Sequence, residues 1–192
     1  MSRAIARSCC TFGTHAEPER ETLMRFPDLH LLTLALASPH NQPVTAFDAL
    51  CRLCDEVVSA KLFTITDHDP NRDLTRRLYS NMPDAYPVSG TKPVDKGSAW
   101  YVHVVGRQQI FIANDYAAIA NVFPDHAFIQ SLGCEAVINI PIVVAGRVLG
   151  TLNCLDAKGT YTREISAAAE SLKLPGAACM LLSQSLNGRG AG

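Results

Sequence analysis

Residues 135–156 constrain the fold more than any other stretch of the chain. EAVINIPIVV (135–144) and RVLGTLNCLD (147–156) are two long β-prone runs separated only by Ala145-Gly146. A connection of two residues forces antiparallel pairing, and Gly146 supplies the positive φ that such a turn demands. Arms of this length are not stable in isolation and must form part of a larger sheet that covers a core. Asn139 stands on the first arm with Glu135 and Val137, while Ala136, Ile138 and Ile140 form its other face. An unpaired buried amide is unfavourable by about 1–3 kcal/mol, so Asn139 either meets solvent or aims into an enclosed polar space.

The segments before the hairpin read as helix, helix and a pair of strands. DLHLLTLALA (28–37) is apolar, can be capped by Asp28 and is stopped by Ser38-Pro39. From about Thr45 to Ser59, Phe47, Leu50, Cys51, Cys54, Val57 and Val58 recur at helical spacing and define one buried face. AKLFTIT (60–66) reads as a strand, DHDPNRD (67–73) as a surface turn and Leu74 to Ser80 as the returning strand. Residues 81–97, rich in proline and glycine, are too long for a plain connection and suggest a binding loop or lid. Ser98 then caps a short helix carrying Trp100, Tyr101 and His103. Gln109 to Ala113 is a strand, and Asn114-Asp115-Tyr116 opens a partly helical stretch to Leu132. A helix from about Arg163 to Leu186 closes the domain, with Pro175-Gly176 expected to kink or split it. Residues 1–22 and 187–192 are expected to be loose tails around a domain at 23–186.

The order of elements implies an α+β fold: an antiparallel sheet with N- and C-terminal helices on one face and irregular helices and loops over the other. Hydrophobic residues at 47% and a net charge of −1 suit a globular chain and argue against a nucleic-acid partner. No apolar run approaches the roughly 20 residues of a spanning helix, so no membrane role is expected. Seven cysteines without a disulfide spacing suit a reducing compartment, and a cytoplasmic location is expected.

The string GCEAVINIPIVVAGRVLGTLNCLDA, with Pro141-Ile142 before the turn and Val148-Leu149-Gly150-Thr151-Leu152-Asn153 after it, resembles the signature hairpin of GAF domains. The resemblance covers residues 40 to 186. It implies a small ligand held between the sheet and the irregular helices; in that family such ligands include cyclic nucleotides, bilins, haem and formate. The Asn-Lys-Phe-Asp-Glu string of cyclic-nucleotide-binding members and the Cys-His of bilin-binding members are both missing here. The family's free methionine sulfoxide reductase carries a cysteine where this chain has Ser98 or Ala99. With no room for an output domain, a stand-alone sensor or carrier is expected, with an enzyme on the same pocket as the alternative.

Several residues could carry ligand chemistry. Tyr79, Tyr86, Trp100, Tyr101 and Tyr116 are expected in or beside the pocket roof, where rings with polar tips either suit a heteroaromatic ligand or simply fill an irregular layer. Asn114, Asp115 and Asn139 are the expected polar contacts, with a simple helix cap as the other reading of Asn114 and Asp115. Arg77, placed by alternation on the same face as Tyr79, could clamp a carboxylate or lie on a solvated strand. For an enzymatic role, Cys134 would be the nucleophile and His103 the base, while packing roles are open to both. Cys154 reads as core, and Cys51 and Cys54 as one turn of a helix rather than a zinc or redox pair. No metal or cofactor is expected; the partners expected are a small-molecule ligand and a second copy of the chain, docked through the terminal helices.

Overall fold

The computed structural model describes residues 27–189 apart from Pro70. Helices α1 (His30–Ala37) and α2 (Val44–Val58) lead into strands β1 (Leu62–Asp69) and β2 (Leu74–Ser80). The turn between these strands is shorter than the sequence suggests, because Asp67, His68 and Asp69 pair with Arg76, Thr75 and Leu74. The loop at 81–97 is not wholly irregular: Thr91–Pro93 forms β3 and pairs with β2. A one-turn helix, α3 (Ala99–Tyr101), is capped by the Ser98 hydroxyl and runs into a wide π-helical turn at Val102–Gly106. Then come β4 (Phe111–Ala113), α4 (Tyr116–Ala120), α5 (His126–Ser131) and the long strands β5 (Ala136–Val144) and β6 (Arg147–Asp156).

These strands make one six-stranded antiparallel sheet in the order β3-β2-β1-β6-β5-β4. The β5–β6 turn has φ of 49° at Ala145 and 73° at Gly146, as the Ala-Gly pair requires. Gly150, on β6, is needed for a different reason. A side-chain carbon there would collide with the Thr66 carbonyl and lie 2.6 Å from Met180 Cε.

Helix α6 (Arg163–Ala169), a 3₁₀ turn at Glu170–Leu172 and α7 (Lys173–Arg189) cross one face of the sheet with α2. The C-terminal helix is interrupted, but upstream of Pro175. The proline sits in the first turn of α7, where its missing N–H is tolerated. By length and composition, Arg163–Asn187 is apolar enough to cross a bilayer, with a mean hydropathy of 1.2. Here it packs Leu172, Cys179 and Met180 into the main core with Phe47, Leu50, Phe63 and Ile140. Helix α7 continues through residues 187–189, while the expected N-terminal tail, residues 23–26, Cys9 and Cys10 lie outside the described residues. The opposite face of the sheet carries a smaller core, with Leu62, Val137 and Leu155 packed against Ile119 and Ile129 of α4 and α5.

Gly150→Ala should therefore destabilise the fold by about 2–3 kcal/mol, because the obstacle is backbone that cannot step aside. Chemical denaturation measures it; a change below about 0.5 kcal/mol would show that β1 and β6 do not approach as described.

Candidate functional site

A cavity of about 510 Å³ lies between the sheet and the layer formed by the 81–97 loop, α3 and the α4–α5 connection. Its floor is polar although it belongs to a buried sheet face. Asn139 on β5 stands opposite Asn153 on β6, which in turn stands opposite Thr64 on β1. The Asn139 amide donates to Asn153 Oδ1 at 2.7 Å, and the Asn153 amide donates to Thr64 Oγ1 at 3.1 Å. Thr66 and Thr151 share a hydrogen bond of 2.7 Å beside them. The Trp100 indole N–H donates to Asn139 Oδ1 at 2.9 Å, so the roof is tied directly to the floor. Around this row the enclosure is largely apolar, with Val137 and Leu155 from the same strands and Val122, Phe123 and Ile129 from the roof contributing.

One edge of the cavity is closed by a charged clasp. Asp125, just before α5, accepts from the Tyr86 hydroxyl at 2.5 Å and from Lys92 Nζ at 2.6 Å. Burial alone would raise the Asp125 pKa, but the Lys92 and Tyr86 hydrogen bonds outweigh it and hold the carboxyl below its usual range. Tyr86 is pushed the other way, first by burial and then by its bond to the carboxylate. Arg77 lies on the other side of Tyr86, its guanidinium carbon 3.6 Å from the ring centroid and its Nη1 donating to the Pro87 carbonyl at 2.6 Å.

The residues singled out from sequence separate into two groups. Tyr86, Trp100 and Asn139 line the cavity. Tyr79 does not, for a reason invisible in the alternation. Leu78 is an extra residue in β2, so Tyr79 pairs with Ile65 while Arg77 pairs with Thr66. This bulge puts Arg77 on the cavity face and turns Tyr79 toward the helices. There it packs on Phe47 and Phe63 and donates to Asp48 at 2.7 Å. Tyr101 lies edge-on to His68, their ring centroids 6.1 Å apart. Asn114 holds the Tyr161 backbone on both sides, at 2.9 and 3.0 Å. Asp115 caps α4 through the Ala118 N–H, and the Tyr116 hydroxyl bonds His126 Nδ1 at 2.9 Å.

Neither residue considered for catalysis reaches the cavity. His103 sits in the π-helical turn with Nε2 on the Ile110 carbonyl at 2.9 Å. Cys134 is fully buried in the smaller core, and burial raises its thiol pKa more than nearby Lys61 lowers it. Cys51 is pushed up to about 11 and Cys179 to about 12, both chiefly by burial. Among the described residues no group of three or more His, Cys, Asp or Glu is placed to hold a metal ion. The residues that sequence reasoning passed over are the floor threonines, Asn153 and the clasp pair Lys92–Asp125. Two asparagines on facing strands were a usable signal for the first part; nothing local marks the clasp.

An antiparallel sheet with helices on one face and a roofed cavity on the other is the layout of small-molecule sensor domains. The sequence matches the family model described as GAF domain over residues 42–172, more than half of its length. The chain belongs to the GAF domain family. In structure it is similar to the GAF domain of an Acinetobacter phosphoenolpyruvate-protein phosphotransferase, with a TM-score of 0.63 at 10% identity, covering 83% of this chain and 94% of that one. The equivalent domain from Coxiella burnetii gives 0.61 at 16% identity, with coverage of 85% and 95%. The chromophore-binding domain of an R. palustris bacteriophytochrome gives 0.57 at 13% identity, with coverage of 83% and 61%. At such identities the likeness concerns the fold. A search of curated protein sequences finds no match.

Two outcomes follow for the site's chemistry. In native protein at about pH 8, iodoacetamide should leave Cys54, Cys134, Cys154 and Cys179 unmodified, as read by peptide mass spectrometry, because all four are buried. Rapid labelling of Cys134 would contradict its placement. For the clasp, the folded-state pKa of Asp125 is depressed, so its stabilisation is complete above the ordinary value of 3.8 and is lost as pH falls through the lower folded value. The stability gap between the wild type and Asp125→Asn should thus hold steady from about pH 7 to pH 5 and shrink toward pH 3. A gap that stays constant down to pH 3 would mean that the carboxylate is not held as described.

Proposed function

We propose that this GAF domain binds a small polar or aromatic metabolite in the cavity between sheet and roof, as a sensor or carrier. The observation that carries this reading is the hydrogen-bonded amide–hydroxyl row on the floor of a largely apolar enclosure. Ligand sites combine an apolar enclosure with a few placed polar groups, and the volume is within the usual range for a small metabolite. Trp100 touches both the cavity and the floor, so occupancy is coupled to the position of α3. Supporting a dimer, α1 and α7 expose Leu31, Leu34 and Leu174, the last 75% accessible. Supporting a cytoplasmic location, the described cysteines are all free thiols. The reading includes no metal, cofactor, nucleic acid or membrane.

Native mass spectrometry of the purified protein, against its denatured mass, tests binding and oligomeric state together. A small molecule is expected either retained or recovered from a metabolite screen as a saturable change in the fluorescence of Trp100, the single tryptophan. Val137→Phe, which fills the cavity from the floor, should abolish that response while lowering stability by about 1–3 kcal/mol, with circular dichroism reporting that the protein is still folded. Binding that survives Val137→Phe would place the ligand elsewhere, and an empty protein with no screening hit would remove the reading.

A further inference from the structure

Four charged side chains line the cavity: Arg77, Lys92, Asp95 and Asp125. Lys92 and Asp125 neutralise each other in the clasp at 2.6 Å, although Asp125 Oδ1 is buried without a hydrogen-bond partner, and Asp95 accepts the Gly97 N–H at 2.9 Å. Arg77 has no carboxylate partner among the described residues. Its contacts are a neutral carbonyl and a ring face, and its Nε is buried without an acceptor. A guanidinium offers five N–H groups; one on Nη1 is taken by the Pro87 carbonyl, and the buried Nε–H has no acceptor. The bulge at Leu78 turns this side chain toward the cavity, and its cross-strand neighbour there is Thr66, whose hydroxyl is already paired with Thr151.

Resting on the binding function proposed above, we infer that the ligand is a small organic carboxylate. Its carboxylate docks against Arg77, with the Thr66–Thr151 hydroxyl pair alongside, and its apolar body lies against Trp100, Phe123 and Ile129. A single uncompensated cation matches a monoanion. A phosphate dianion would call for a second free cation, and the other cation of the lining, Lys92, is already paired with Asp125. Tyr86 connects this anchor to the clasp, because one face of its ring carries the guanidinium while its hydroxyl holds Asp125. A carboxylate that draws Arg77 toward itself therefore acts on the residue that closes the cavity edge.

Matched probes test the inference on the full chain. Benzoate, benzamide and phenyl phosphate, then isovalerate and isovaleramide, are titrated with Trp100 fluorescence and saturation-transfer NMR as readouts. Each acid should bind at least about tenfold more tightly than its amide. Arg77→Gln should remove that difference by weakening the acids and leaving the amides unchanged, while Arg77→Lys keeps part of it. Retained amide binding in Arg77→Gln reports that the cavity is still folded. Equal binding of acid and amide, or an acid preference that survives Arg77→Gln, overturns the carboxylate assignment and leaves the cavity reading standing. Phenyl phosphate binding about tenfold more tightly than benzoate also overturns it, in favour of a phosphorylated ligand. If neither class binds, or binding is indifferent to Val137→Phe, both readings fall together.

Discussion

The hydrogen-bonded row from Trp100 through Asn139 and Asn153 to Thr64 is the interaction on which the rest of this molecule depends. Water-excluded polar groups in a sheet are tolerable only if they satisfy one another. Each amide in the row gives to the next, so three strands can present a polar surface inward without an orphaned group. The same bonds fix the spacing of β1, β6 and β5 on the face where no large helix packs. They also anchor the roof, since Trp100 reaches the floor from a helix of a single turn that could not hold its position by backbone bonding alone.

The two faces of the sheet divide the work. On one, Phe63, Ile65, Ile140 and Leu152 meet α2 and the C-terminal helices in an apolar core. On the other, the same strands offer threonine and asparagine to a cavity. The period of two along a strand makes this economical, because every second residue can be chosen for packing and the others for chemistry. Two bulges adjust the pattern where strict alternation would fail, at Leu78 in β2 and at Leu149 in β6.

Those bulges also explain what could and could not be read from sequence. The β5–β6 hairpin, the two N-terminal helices, the Ser98 cap and the layered α+β arrangement are all legible, because turn chemistry and hydrophobic spacing act locally. Counting back from Ala145-Gly146 without the bulge would set Asn139 against Leu152; the extra residue brings Asn153 opposite instead. In the same way Tyr79 and Arg77 read as one face and stand on two. For Asn114 and Asp115 the sequence leaves pocket polarity and a helix cap open; in the structure Asp115 is the cap and Asn114 ties the Tyr161 backbone, uses that the same side chains perform equally well. The Lys92–Asp125 clasp joins segments far apart in the chain, and no periodicity announces it.

The place of β6 in the sheet has a consequence for how the chain reaches this state. Although sixth in sequence, β6 lies between β1 and β5, and Thr64 must find Asn153 across 89 residues. The early strands β1, β2 and β3 can join by local turns, but the inner edge of β1 then waits for a partner that a ribosome makes much later. Such non-local pairing raises contact order and slows folding, since a long loop must close before any bond rewards it. During synthesis the exposed β1 edge, carrying Leu62, Phe63 and Ile65, is an aggregation hazard until the hairpin arrives to cover it.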